Sequence, residues 1–188
     1  MQLYAIIDAA GTGALIIMEQ DTLYLSVSEI PDASEILFKG EIPGIFVEEA
    51  IRSHSFSMVT RHFHESLELY FLIEGERFYF VEQDTYHLQE HMAILVDQNQ
   101  IHKTCPAGTG KKHHRFLMQL EGPVLDQLLH LCGSVSLEEF GNAYRGITRF
   151  SVDQWAQILS LLTQIKEQFT LISSRTTPGN KQDTTTAN

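Results

Sequence analysis

The chain has 188 residues, of which 43% are hydrophobic, and its 13 Lys and Arg against 24 Asp and Glu give a formal net charge of −11. That apolar content supports a packed core and excludes disorder throughout, while the acidity excludes a direct nucleic-acid surface on this chain, because phosphate binding needs clustered cations. Cys105 and Cys132 lack metal-type spacing and are too sparse for a disulfide framework, so they read as reduced, buried or half-buried thiols of a cytoplasmic protein. The N-terminus has no signal-peptide pattern and no apolar run reaches membrane-spanning length, so no membrane partner is expected.

In chain order, residues 3–8, 13–18 and 22–27 read as short strands separated by turn-type clusters. Residues 35–39 and 45–47 follow, with turns at Pro31–Ser34 and Pro43-Gly44. Alternation over 55–64 predicts a strand with Phe56, Met58, Thr60, His62 and His64 on one face. Residues 67–73 are nearly all apolar, as in a strand buried on both sides, and Tyr70 and Leu72 share the parity of Glu68. Further strands are expected at 77–82, 85–88, 92–96 and 113–120. About ten short strands at close spacing argue for a sandwich or small barrel.

The densest chemistry lies in Arg61–Gly75. His62 and His64 are two residues apart, so on a strand both imidazoles point to one side, roughly 6.5 Å apart along the chain. Glu68 would lie about 20 Å from His62 on the same unbroken strand, too far to share a ligand. If the three act together, the chain must turn at Glu65-Ser66 and Glu68 must open the next strand.

Beyond Leu120 the period changes to helical. Gly122-Pro123 opens one helix, with Leu125, Leu128, Leu129 and Cys132 as its stripe, and Gly133 closes it. Ser136–Glu139 and Ser151–Gln154 are capping boxes, with Phe150 and Trp155 in the staple positions around the second. Trp155, Ile158, Leu162, Ile165, Phe169 and Ile172 then recur at 3-4 spacing, a short coiled-coil seam that predicts self-association through Trp155, Ile158, Leu162, Ile165 and Phe169. The alternative is an amphipathic helix that caps the barrel, and Leu159 and Leu161 broaden the apolar surface enough for one side to pack there while another meets a partner. Residues 173–188 have the composition of a flexible linker.

His62, His64, Glu68 and Gly75, followed by His91–His102, resemble the paired motifs of the cupin superfamily. The first motif is well matched, although Phe56 stands where its opening Gly would be. In the second, His102 is kept, while His91, Asp97 and Asn99 replace the usual Gly, Pro and Gly, and Pro106 replaces the closing Asn. A cupin followed by two or three helices and a polar linker is similar to the sensor and dimerisation half of AraC-type transcription regulators. The resemblance implies a mainly β, double-stranded β-helix (jelly-roll) barrel followed by α-helices. It divides the chain into a barrel with N-terminal strands (1–120), a helical dimerisation region (121–172) and a linker (173–188) to a helix-turn-helix domain outside this chain, through which alone DNA would be met.

It also implies a small-molecule effector, a sugar or similar polar metabolite, lined by Phe56, Met58, His62, His64, Glu68, Tyr70 and His102, with no catalytic residue and no required cofactor. His62, His64, Glu68 and His102 equally suit a divalent transition metal, residue type alone not choosing which, or plain buried hydrogen bonding. A metal-dependent cupin enzyme of dioxygenase, isomerase or epimerase type is the rival reading, and a stand-alone binding module the third. His113 and His114 read first as a solvated loop entering a strand; if His113 faces inward, Arg115 does so with it and could meet an anionic ligand.

Overall fold

The computed structural model describes residues 2–7 and 13–18 (backbone only), 34–53, 57–58, 60–110, 112–133 and 136–176. The chain divides into two units, Met1–Ala33 and Ser34–Asn188. In the first, β1 (Gln2–Ile7) and β2 (Gly13–Met18) pair antiparallel from Gln2 opposite Met18 to Ile7 opposite Gly13. The strand expected at 22–27 lies outside the described residues.

The second unit carries β3 (Glu35–Ile42), β4 (Ile45–Ser53), β5 (Leu67–Glu74), β6 (Arg77–Val81), β7 (Asp84–Leu88), β8 (Met92–Val96), β9 (His102–Pro106), β10 (Lys112–Leu120) and β11 (Gly146–Arg149). Among the described residues these form two sheets, in the orders β11-β8-β5-β10-β4-β3 and β7-β6-β9. The architecture is the mainly β double-stranded β-helix, followed by helices, that the motifs imply. Two strands were not legible: β9 lies in a stretch for which no element is expected from sequence, and β11 joins the sheet edge after α2.

Side-chain parity divides each strand between two environments, because successive residues point to opposite faces. Tyr70 and Leu72 of β5, Tyr79 and Val81 of β6, and Ile94 and Val96 of β8 fill one core, inside the barrel. Val47 and Phe116 point the other way, with Leu162 and Phe169 of the last helix. Gly75 ends β5 with φ +95°, and a Cβ there would lie 2.8 Å from the Lys112 carbonyl, so the motif glycine is a backbone requirement.

Both capping boxes form. Ser136 and Glu139 satisfy each other's backbone N–H groups at the start of α2 (Leu137–Tyr144). Ser151 and Gln154 do the same for α3 (Val152–Thr176). Phe150 and Trp155 are 5.9 Å apart as a staple. In α1 (Gly122–Leu131) the buried stripe is Leu125 and Leu129 alone; Leu128 and Cys132 are exposed. α3 also extends past the expected end at 172, through Ser173 to Thr176.

The seam on α3 packs within the chain. Leu162 and Phe169 are buried against Val47 and Phe116 of the chain's own barrel, and Ile158 and Ile165 pack on the same cluster. Trp155 is buried and stacked on His91 at 5.4 Å. The five side chains expected to meet a second copy therefore attach α3 to the barrel. A 3-4 stripe specifies an apolar face but not what covers it. Gly40 of β3 is part of this attachment: a Cβ there would stand 2.5 Å from the Phe169 ring.

Phe169→Ala is expected to lower stability by about 3 kcal/mol in urea unfolding, through lost burial and an unfilled cavity. The same change at exposed Leu171 is expected to cost less than about 0.5 kcal/mol. Equal effects at the two positions would remove the attachment role of this face.

Candidate functional site

The segment before β5 brings the site together. It is not the regular strand expected over 55–64. Among its described residues, His62 makes an isolated bridge with His102, and the Met58 N–H donates to the Thr104 carbonyl at 3.1 Å. The bridge is two-way: the His62 N–H donates to His102 at 3.0 Å and the His102 N–H to His62 at 2.8 Å. The chain bends at Glu65 and Ser66, β5 starts at Leu67, and Glu68 is its second residue. This is the turn demanded by a shared role for His62, His64 and Glu68.

The degenerate second motif keeps its turn geometry. His91 and Asn99 adopt φ +63° and +62°, where glycine is usual. Asn tolerates this region well. At His91, stacking on Trp155 and acceptance by its carbonyl of the Phe150 N–H at 3.0 Å hold the conformation. The Asn99 N–H donates to the His64 carbonyl at 2.9 Å, tying the two motifs together.

The imidazoles of His62, His64 and His102 converge, each offering a nitrogen within 4.8 Å of the other two. The His102 Nδ1–H donates to the Gln100 carbonyl at 2.9 Å and the His64 Nδ1–H to the Ser66 carbonyl at 2.8 Å. Backbone acceptors thus fix both rings with Nε2 turned inward. The His102 Nε2 is buried, has no hydrogen-bond partner among the described residues, and lies 3.8 Å from Glu68 Oε2. An imidazole nitrogen without a hydrogen-bond partner, facing a carboxylate oxygen, is an arrangement that a bridging cation or a ligand hydroxyl satisfies.

Glu68 is the centre of the cluster and is 3% exposed. Its Oε2 lies 3.1 Å from the His64 Nε2 and accepts from the Gln119 amide at 3.1 Å, while its Oε1 accepts from the Tyr79 hydroxyl. Burial alone would raise its pKa; His64, His102, Tyr79 and Gln119 together outweigh burial and hold it at about 2. His64 is raised above its ordinary 6.5, chiefly by the bond to Glu68. His62 is lowered, by burial first and then by the nearby His102. Beside the cluster, His64, Ser66 and Gln119 line one side of a groove of about 1000 Å³, with Phe46 and the β3–β4 turn on the other.

Of the residues expected from sequence, the structure gathers His62, His64, Glu68 and His102. Tyr70 lies one layer deeper, edge-on to Tyr79 at 5.2 Å, and is not in the cluster itself. Met58 is half-buried along β9 and touches the cluster through no described side-chain contact. Phe56 lies outside the described residues. Sequence reasoning missed Gln119 and Tyr79. Gln119 pairs directly across from Glu68 in the β10–β5 register, which its isolated polarity in an apolar strand hints at. Tyr79 was obscured because Phe78 and Phe80 share the more apolar face of β6, whereas Phe78 is exposed and Arg77, Tyr79 and Val81 are buried.

In metal-free protein the two shifts define a window. Glu68, depressed from 4.5 to about 2, contributes stability that is present above 4.5 and lost as pH falls toward 2. His64, raised from 6.5, contributes stability present below 6.5 and lost as pH rises through its higher value. The stability difference between the natural chain and Glu68→Gln is therefore expected to peak between the two ordinary values. Urea unfolding should show it shrinking by about 3 kcal/mol on the acid side. A difference independent of pH would mean that Glu68 is not charged in the fold.

The sequence matches the family described as the AraC-like ligand-binding domain over residues 43–179. No curated protein sequence matches the chain. Among solved structures, an RmlC-like cupin with a double-stranded β-helix fold from Methanocaldococcus jannaschii is similar at 14% identity and a TM-score of 0.42, covering 57% of this chain and 90% of that one. A putative mannose-6-phosphate isomerase from Ralstonia eutropha has 14% identity and a TM-score of 0.42, over 48% of this chain and 85% of its own. A DMSP lyase from Ruegeria pomeroyi has 16% identity and a TM-score of 0.40, over 47% of this chain and 46% of its own. The family match spans more than half of the chain, and the protein belongs to the AraC-like ligand-binding domain family.

Proposed function

We propose that the chain is the small-molecule sensor of a bacterial transcription regulator, with the effector held at the His62, His64, Glu68 and His102 cluster. The observation that carries this reading is the buried Nε2 of His102, turned toward Glu68 with no hydrogen-bond partner among the described residues. Buried polar groups are ordinarily hydrogen-bonded, so such an atom at the mouth of a polar cluster marks where a ligand group enters. The groove beside His64 and Gln119 supplies the approach. A small polar metabolite with hydroxyl groups, such as a sugar, matches a cluster of mixed donors and acceptors.

The regulator reading adds a cytoplasmic setting, a helix-turn-helix half that alone meets DNA, and a homodimer. No described helix is long and apolar enough to cross a membrane. Since the 3-4 face of α3 is used within the chain, the dimer would use its outer face, where Leu161 and Leu171 are exposed. Ligand binding alters regulation to the extent that it favours one packing of α3 over another. Glu49 links the two: on β4 it meets His114 of β10 at 2.8 Å and Lys166 of α3.

A second reading has a specific observation behind it. The Nδ1 atoms of His64 and His102 are committed to backbone carbonyls, the usual way to present Nε2 to a metal. The residues fit a divalent transition ion held by His62, His64, His102 and Glu68. Such an ion would act as a Lewis acid toward a ligand oxygen, which is also what the rival enzyme reading requires.

The test is release of bound ligand. Protein incubated in a bacterial metabolite extract and then washed is expected to release a small molecule on denaturation, identifiable by mass spectrometry. The His62→Ala/Glu68→Ala double variant, if folded, should release none. Identical release from both proteins would refute the pocket assignment. In parallel, chelator-treated protein is expected to take up one Zn²⁺ with a rise in Tm, an effect lost in His102→Ala; no uptake would eliminate the metal reading and leave the direct one.

A further inference from the structure

The barrel interior holds a second polar layer, deeper than the His and Glu cluster. Its residues are Arg52 and Glu48 on β4, Tyr70 on β5, Arg77 on β6, Thr104 on β9 and Arg115 on β10. All have the parity that faces inward, and the registers place Arg115 opposite Ala50 on one side and Leu72 on the other. Arg77 is fully buried, with its Nε–H donating to the Thr104 hydroxyl at 3.1 Å. Arg115 is 7% exposed; its Nη2 pairs with Glu48, which also accepts from Arg52 at 3.3 Å. The Arg115 guanidinium lies over the Tyr70 ring, 5.9 Å from its centre.

In this layer Arg115 Nη1 and the Tyr70 hydroxyl are buried without a hydrogen-bond partner among the described residues. Both can donate. Burial pushes the Tyr70 hydroxyl's pKa up, against the opposing pull of Arg115 and Arg77, so it keeps its proton. A buried cation with an unused donor, beside an unused hydroxyl, is costly unless an acceptor completes it. Glu48 supplies part of the answer from the chain itself. It is a carboxylate already clamped between two guanidinium groups, with its side chain 14% exposed.

We infer that the effector of this barrel carries an anionic group, a carboxylate or phosphate, bound by Arg115 and Tyr70 where Glu48 now competes for the guanidinium. The inference rests on the sensor reading and specifies its ligand class: the ligand's hydroxyl end meets the His and Glu cluster and its anionic end this layer. Arg is the residue suited to either anion, through paired N–H groups in a fixed plane. Occupation would also reach the outer surface, because Glu48 and Glu49 are neighbours on β4. Glu48 faces the anion, and Glu49 holds Lys166 of α3.

The test is an NMR titration of the purified chain with acetate and with inorganic phosphate at constant ionic strength, with D-galactose and L-arabinose as neutral probes. Saturable binding of at least one anion is expected, with shifts at the Arg115 Nε–H; the stronger of the two names the group. Arg115→Gln should weaken it by about tenfold or more and Tyr70→Phe by a smaller factor, while Glu48→Gln should tighten it by removing the internal competitor. Tightening is a result that a purely structural role for Glu48 does not give. Should Arg115→Gln fail to fold, Tyr70→Phe and Glu48→Gln decide the matter. No saturable anion binding, or anion binding unchanged in the variants that fold, overturns the inference. Sugar binding without anion binding also overturns it and leaves the sensor reading standing; that reading falls instead on identical ligand release from the His62→Ala/Glu68→Ala variant.

Discussion

A carboxylate withdrawn from water must be matched by donors, and Glu68 imposes that condition on the whole barrel. It is 3% exposed, yet its pKa is held at about 2. That requires Tyr79 from β6, Gln119 from β10, His64 from the segment before β5 and His102 from β9 to arrive at one point. These groups come from both sheets. The register of β10 on β5, the bend at Glu65 and Ser66, and the His62–His102 bridge are all fixed by the same convergence. Removing any donor leaves a buried charge under-compensated, which costs more than an ordinary hydrogen bond.

The interior is layered. At the groove end, imidazoles and Glu68 surround an unpartnered His102 nitrogen. One layer deeper, Tyr79 meets Tyr70 edge to face, and Tyr70 belongs with the guanidinium layer. The outer surface is apolar where α3 lies, and its polar link to the barrel is Glu49 with His114 and Lys166. Strand alternation is what allows one strand, β4, to serve both sides, Glu48 inward and Glu49 outward.

The sequence made the first half of this site readable because its spacing was chemically restrictive. His62, His64 and Glu68 could act together only if the chain turned between His64 and Glu68, and it does. The capping boxes at Ser136 and Ser151 were equally readable, since their bonds are local. What could not be read was whatever depends on pairing between distant strands. Gln119 becomes a partner of Glu68 only through the β10–β5 register. β9 carries Lys103 and Pro106 and has little intrinsic strand character; pairing with β6 makes it a strand. What covers the α3 seam was not legible for a related reason: packing on a barrel and packing on another helix ask for the same 3-4 stripe.

The central claim is that the interior presents a buried imidazole nitrogen, His102 Nε2, with no hydrogen-bond partner among the described residues, to whatever binds there. Nitrogen-15 NMR of His102 measures this directly. The account predicts an Nδ1 proton donated to the Gln100 carbonyl and an Nε2 resonance that moves when a ligand or metal ion is added. An Nε2 resonance unaffected by a bound ligand would contradict it.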